Sequence, residues 1–354
     1  MNRMDRPALQ AALDAGRRIE QADLSGLDLR EADLNGASFR NCSFVGSDLR
    51  GASLTKATLT NCDFSNACFA GTQLEQLMGR GLRFAGADFS AARVHRCMLQ
   101  HSDFSDANLQ GFTISWTMCQ HGNFTGADLR GAVLEKAILN HACLARANLE
   151  DARLIRTTFI DADLQGISLK RANLFKCVLR GASLIDQDFS GAHLDVVQFD
   201  GALLQRARFT GSRLSLSNFS GADLTSADLS ETEAERCLFS GAILKQACLS
   251  KARLARSVFN GSDAALADFS HATLTGSIFK ESHCHATNFQ GADLSHTDFS
   301  HADLTMANLS GSRLYQVRFH QTLDNDARFD GALVVPQQID DDFAQAEAWT
   351  PPPD

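Results

Sequence analysis

The chain has 354 residues, 44% of them hydrophobic and 21% charged, with a formal net charge of −9. Residues 1–18 hold four arginines against two aspartates, the stretch from Gln337 holds five acids and no base, and the region between is close to balanced. A balanced surface excludes the basic excess of a general nucleic-acid binder, and direct nucleic-acid binding is not expected.

In chain order, residues 1–18 read as an N-terminal helical cap. Asp5 is the expected N-cap of a helix over Arg6–Ala15, with Pro7 in its first turn, Leu9 and Leu13 on one face and Gly16 as its stop. The start Met-Asn-Arg-Met-Asp-Arg has no apolar run behind it, so no secretory signal is expected. No stretch approaches 18 apolar residues, which leaves no candidate membrane span.

From Leu24 to Phe329 the sequence repeats every five residues without losing register. Leu or Phe fills the central position of all but eight steps, the exceptions being Gly79, Val94, Ile114, Cys119, Ala234, Ala264, Cys284 and Asp324. Two residues before each centre stands a small residue, most often Ala, and Asp or Asn commonly lies between them. Ala222-Asp223-Leu224 and Ala302-Asp303-Leu304 are clean examples. A period of five fits neither the 3.6 of a helix nor the 2.0 of a strand, so the chain must turn after each short extended piece. Phe recurs at 199, 219, 239, 259, 279, 299 and 319, a second period of twenty. Twenty residues therefore make one four-sided coil. The small and central residues point inward, and everything else faces solvent. Residues 19–336 form this tract. The motif weakens between Gly71 and Gly81 and again from Arg93 to Gly122, and both stretches are expected to be bulged corners.

Residues 337–354 read as a C-terminal cap with an acidic, proline-rich tail. Ile339, Phe343 and Ala346 form an i, i+4, i+7 stripe that would cover the last coil. A solenoid needs such caps because its end coils carry unpaired backbone.

The repeat tract resembles the pentapeptide-repeat family over about nine-tenths of the chain. The resemblance implies an all-β fold, a right-handed quadrilateral β-helix of about fifteen coils with short N- and C-terminal helical caps. At the ~4.8 Å spacing of paired strands such a rod is roughly 70–75 Å long. It is dry inside and leaves no room for a pocket along its axis.

Chemistry-bearing residues are then weighed by where the coil puts them. Of the ten cysteines, Cys42, Cys62, Cys97, Cys177 and Cys237 take the small inward position, and Cys119 and Cys284 take the central one. With no CxxC pair they read as small buried hydrophobes, and reduced thiols point to the cytoplasm. His101, His121 and His141 stand twenty apart and should stack on one corner, with no carboxylate or thiol completing a metal site. In His283-Cys284-His285 the thiol points in and both imidazoles out, so the trio cannot converge on an ion. Seventeen acids are motif aspartates just before a centre, where they bond turn backbone. No nucleophile, zinc or phosphate-loop motif appears, so no catalytic residue, cofactor or metal is assigned.

The outward columns carry the functional reading. Lys56, Arg96, Lys136, Arg156 and Lys176 share one corner in twenty-residue register with Trp116. Met78, Met98, Met118 and Ile138 occupy the outward position normally held by Asp or Asn, and Ile155, Ile160, Phe175 and Val178 lie nearby. Met, Trp and Arg clustered on a polar rod have the composition of an interface. Met98, Trp116, Met118, Lys136, Ile138, Ile155, Arg156, Phe175 and Lys176 are accordingly the candidate partner-binding residues of a non-enzymatic, rigid scaffold that docks a protein along one side. The head, from Ala11 to Arg17 and on into Ala22–Gly26, is similar to pentapeptide-repeat proteins associated with bacterial type VI secretion. The alternative, implied by the same family, is a DNA mimic that binds gyrase. Against it, one side is acidic through Asp63, Asp103, Asp106, Asp163, Asp186, Asp223, Asp263 and Asp303. The opposite side is arginine-rich, through Arg93, Arg153, Arg213, Arg253 and Arg313. A homodimer through an end cap is left open.

Overall fold

A five-residue step closes into a coil because each step ends in a tight turn. At most corners the central carbonyl accepts the N–H of the residue three positions on, as Phe219 does from Ala222 at 3.0 Å, though the corners after Leu74, Ile114, Leu134 and Leu154 lack this bond. The third residue of that turn lies at positive φ, +64° at Gly221, which makes the corner a type II turn. The aspartate before the centre locks the residue after the centre in place: Asp23 accepts from the Ser25 N–H at 3.0 Å and Asp303 from the Thr305 N–H at 2.9 Å. That Asx geometry accounts for the acids of the motif.

In the computed structural model, which describes residues 2–333, four such steps complete a turn of a parallel β-solenoid. Each paired residue has its partner twenty positions away, from Asn2↔Ala22 at one end to Arg313↔Leu333 at the other. Inward positions are dry: Ala222, Leu224, Ala227 and Leu229 are buried, while Asp223, Thr225, Ser226 and Asp228 between them reach solvent. Like stacks on like. The rings of Phe199, Phe219, Phe239, Phe259, Phe279 and Phe299 lie 4.4–5.0 Å apart down one column. Rings of the column on the opposite side meet them edge-on across the core, as Phe259 meets Phe269 at 86°. Both arrangements suit the aromatic quadrupole.

The N-terminal cap forms as its residues require. A nine-residue helix, Arg6–Asp14, starts at Asp5, whose carboxylate accepts the Ala8 N–H at 2.9 Å. It ends in a Schellman pattern at Gly16 (φ +63°), with Gly16 N–H to Leu13 O at 2.8 Å and Arg17 N–H to Ala12 O at 3.0 Å. Ala15, expected inside the helix, is instead its C-cap. Leu9 is buried against the first coil, and Asn2–Arg3 pairs with Ala22–Asp23, so the first coil's edge is covered. The Ile339, Phe343 and Ala346 stripe lies outside the described residues.

One expectation is corrected. The weak-motif stretches are not bulges; they are the straightest parts of the coil. Gln73–Glu75, Arg93–His95, Thr113–Ser115, Val133–Glu135, Arg153–Ile155 and Asn173–Phe175 form a six-stranded parallel sheet. Ile19–Glu20, Ser38–Arg40, Thr58–Thr60, Met78–Arg80 and Met98–Gln100 form a five-stranded one on the next side. Absence of the motif Asp or Asn does not by itself make such a strand, since Met118, Leu238 and Val258 keep single-residue bridges and Asn173 lies within a strand. What these edges share is that the corner after Leu74, Ile114, Leu134 and Leu154 lacks the turn hydrogen bond.

Candidate partner-binding surface

The corner between these two sheets is where the candidate residues meet. Arg96, Trp116, Lys136, Arg156 and Lys176 each take left-handed backbone, φ +52° to +55°, which throws the side chain outward off the corner. This conformation costs an L-residue about 1–2 kcal/mol. Every corner of the rod adopts it, so the strain does not mark this site.

Trp116 is 55% exposed, and the Lys136 ammonium sits 3.8 Å from its ring centroid. Lys176 stands 5.1 Å from the Phe175 ring in the same relation. On one flank of the corner Met98, Met118 and Ile138 are successive ladder partners. Met98 and Met118 are exposed and Ile138 is half-buried, with Met78 continuing the column. On the other flank Ile155 pairs with Phe175, and these two line a 220 Å³ cleft with Arg153, His193 and Asp195. The nine candidates thus form one basic ridge with two apolar flanks.

Among the described residues, Lys56, Arg96, Arg156 and Lys176 have no carboxylate within salt-bridge distance, and Lys136 reaches only Glu135 at 4.0 Å. Among the described residues Arg40, Arg80, Arg93, Arg146, Arg153, Arg236 and Arg256 likewise have none, while other bases pair with acids between coils. Arg206 grips Asp186 through two bonds of 2.6 and 2.7 Å, Lys245 lies 3.0 Å from Asp263, and Arg83 lies 3.8 Å from Asp63. The acidic side is therefore interrupted by cations.

The other candidates stay apart from chemistry. His101, His121 and His141 stack at 4.8 and 5.0 Å, nearly parallel, with His141 3.9 Å from Asp161. No group of three His, Cys, Asp or Glu among the described residues is placed to hold a metal ion. Cys284 is fully buried while His283 and His285 are exposed. Among the described residues no helix is long and apolar enough to cross a membrane.

The structure adds apolar surface that the sequence reading passed over. Leu238 is exposed, with Val258 and Ile278 half-buried beyond it, and they continue the methionine column on the same side. The signal was available: 238 is eight coils of twenty beyond Met78.

Comparison with known proteins agrees with this geometry. Family models for pentapeptide repeats match residues 18–55, 42–76, 80–115, 114–151, 152–191 and 177–215, and a pentapeptide repeat region matches 232–309. Among solved structures, the chain is similar to HetL, a pentapeptide repeat protein involved in heterocyst differentiation regulation in the cyanobacterium Nostoc sp. strain PCC 7120. The identity is 23% with a TM-score of 0.19, covering 93% of this chain and 96% of that one. It is also similar to trypsin-treated QnrB1, a plasmid-mediated fluoroquinolone resistance protein, at 15% identity and a TM-score of 0.23, covering 74% of this chain and 91% of that one. Rfr23 from the cyanobacterium Cyanothece 51142 matches at 18% identity and a TM-score of 0.19, covering 43% and 91%. No curated protein matches the chain.

Proposed function

The chain belongs to the pentapeptide-repeat family, and from that premise we propose that it is a non-enzymatic scaffold that docks a protein partner on its basic, methionine-flanked ridge. One observation carries the reading: the exposed Trp116 ring, with the Lys136 ammonium 3.8 Å from its centroid, stands between exposed Met98 and Met118 on one flank and exposed Phe175 on the other. An unpaired cation beside exposed Met and Trp favours a partner whose contact surface is apolar at its centre and acidic at its rim. Docking in the cytoplasm on a secretion-linked assembly is the biological setting the head sequence suggests.

Affinity capture with the wild-type chain and with Trp116→Ala and Met118→Asp tests the surface. Both variants should keep the wild-type thermal unfolding profile and lose the same captured protein. Capture unchanged by both would remove the ridge as the interface. The DNA-mimic alternative needs a continuous acidic surface, and the cations on Asp63, Asp186 and Asp263 work against it. Inhibition or protection of gyrase supercoiling at micromolar protein would favour it instead.

A further inference from the structure

On the side of the coil opposite the methionine column, the small inward residue runs Ala107, Ala127, Ala147, then Ile167 and Gln187, then Ala207 and Ala227. Two oversized side chains stand one above the other where the neighbouring coils carry a methyl group. Overpacked sites yield by moving backbone, and here the coils part. Asn148 pairs with Ser168 and Asp188 with Arg208, but Ser168 and Asp188 do not pair.

The missing bonds trace a wedge. One coil earlier, Arg146 N–H donates to Gln165 O, Leu149 N–H to Ser168 O and Asp151 N–H to Lys170 O, at 2.8–3.0 Å. The equivalent donors Gly166, Leu169 and Arg171 reach no carbonyl of the next coil, and the carbonyls of Ile185 and Ser190 accept no backbone bond. At one margin the Ser183 N–H to Ala162 O bond is stretched to 3.3 Å. Pairing is intact on the methionine side, where Val178 N–H meets Thr157 O at 3.0 Å and Gln198 N–H meets Cys177 O at 2.9 Å. The two arms of the rod are thus hinged along that side and open on the opposite one. The opening is a cleft of 550 Å³ between Gln165–Lys170 and Ile185–Asp188 with Ser190.

We propose that this open rung is a docking slot for an extended peptide segment of another protein, entering parallel to both lips as an added strand. One lip offers the N–H groups of Gly166, Leu169 and Arg171 and the other the carbonyls of Ile185 and Ser190, at the spacing with which intact coils pair, while Gln187 Nε2 takes the Asp188 carbonyl at 3.2 Å. A segment with the backbone of one coil side presents both sets at once, as Gln165–Lys170 does to the coil before it, and joins the ladder as sheet edges take up peptides. The floor, with Ile167 and Ile185, is apolar, and the mouth, with Gln165, Lys170 and Asp188, is polar. The segment carries a small residue opposite Ile167 and no proline where it must donate. The slot lies on the side next to the Ile155 and Phe175 flank, opposite the methionine column, and does not rest on the ridge being an interface.

Hydrogen exchange of the full chain tests it. The probe is an acetylated, amidated peptide copying residues 127–132, Ala-Asp-Leu-Arg-Gly-Ala, the same side of an intact coil. In the wild type, amides of 164–171 should exchange about tenfold or more faster than those of 124–131. The peptide should slow them saturably below about 1 mM. The double variant Ile167→Ala/Gln187→Ala should slow them without peptide and abolish the peptide response. Lips already protected in the wild type, or unmoved by about 1 mM peptide, overturn the proposal. A misfolded variant would show faster exchange in every coil, and the wild-type titration alone would then decide.

Discussion

Replacing Phe239 with alanine tests whether the aromatic columns hold the coils in register. Its ring is fully buried and stacks on Phe219 at 5.0 Å and on Phe259 at 4.8 Å, tilted by 3° and 2°. Truncating a buried Phe costs about 3–5 kcal/mol. The two lost stacks, each about 0.5–1.5 kcal/mol, put this site toward the upper end. Phe239→Leu is the internal control, because leucine already fills the equivalent position of other columns. It keeps most of the burial and forfeits the stacks, for about 1–3 kcal/mol. Solenoids unfold coil by coil rather than all at once, so the measurement is local: exchange protection of amides in residues 219–259 against those in 44–104. Alanine should lower the opening free energy of the first group by several kcal/mol and leave the second unchanged. A loss below about 1 kcal/mol, or equal losses for alanine and leucine, would refute the idea that stacking sets the packing.

Two further outcomes follow from the same geometry. Val196 is a β-branched residue at φ +63°, so Val196→Gly relieves about 1–2 kcal/mol of left-handed strain against about 0.5–1 kcal/mol of added chain entropy. The urea midpoint should therefore rise slightly, and a fall would show that the Val196 side chain contributes more than its backbone costs. Of ten free thiols, seven are buried and Cys68, Cys143 and Cys248 are partly exposed. Burial pushes Cys97 up to about 11 and Cys177, Cys237 and Cys284 up to about 12. A disulfide reagent at neutral pH should modify only the three exposed thiols in native protein and all ten in denaturant, and rapid reaction of a buried thiol would contradict the dry core.

The coil was legible in the sequence because each inward position is decided by size and polarity alone. Leu and Phe at the centre, Ala two before it and Asp between them leave one way to bury apolar surface, and the Phe period of twenty identifies the stacking partner. The N-terminal helix was legible for a similar reason, since Asp5, Pro7 and Gly16 each act through local backbone. The strands at 73–80 and 93–115 were not legible as such, because the motif residues alone do not separate them: Met118 and Leu238 also lack the Asp yet keep single-residue bridges, and Asn173 keeps the Asn within a strand. The open rung was missed because Ile167 and Gln187 look unremarkable singly. Their effect arises only when one stands above the other, a relation the linear sequence hides. The ridge was traced by register, but its unpaired cations depend on where acids of adjacent coils fall in space.

All pairing runs between residues twenty apart, and that regularity makes the protein a modular ruler. Excising residues 224–243, one whole coil, would bring Phe219 and Ala222 next to the former partners of the removed segment with every column still in phase. Excising fifteen would rotate everything beyond the cut by three sides and set the Phe219 column against the Leu254, Leu274 and Leu294 column. Length can therefore be changed only in whole coils, each shifting the distance between surface features by one strand spacing, about 4.8 Å. Separation between sites on this rod is quantised, and a partner that spans two of them reads the number of coils between.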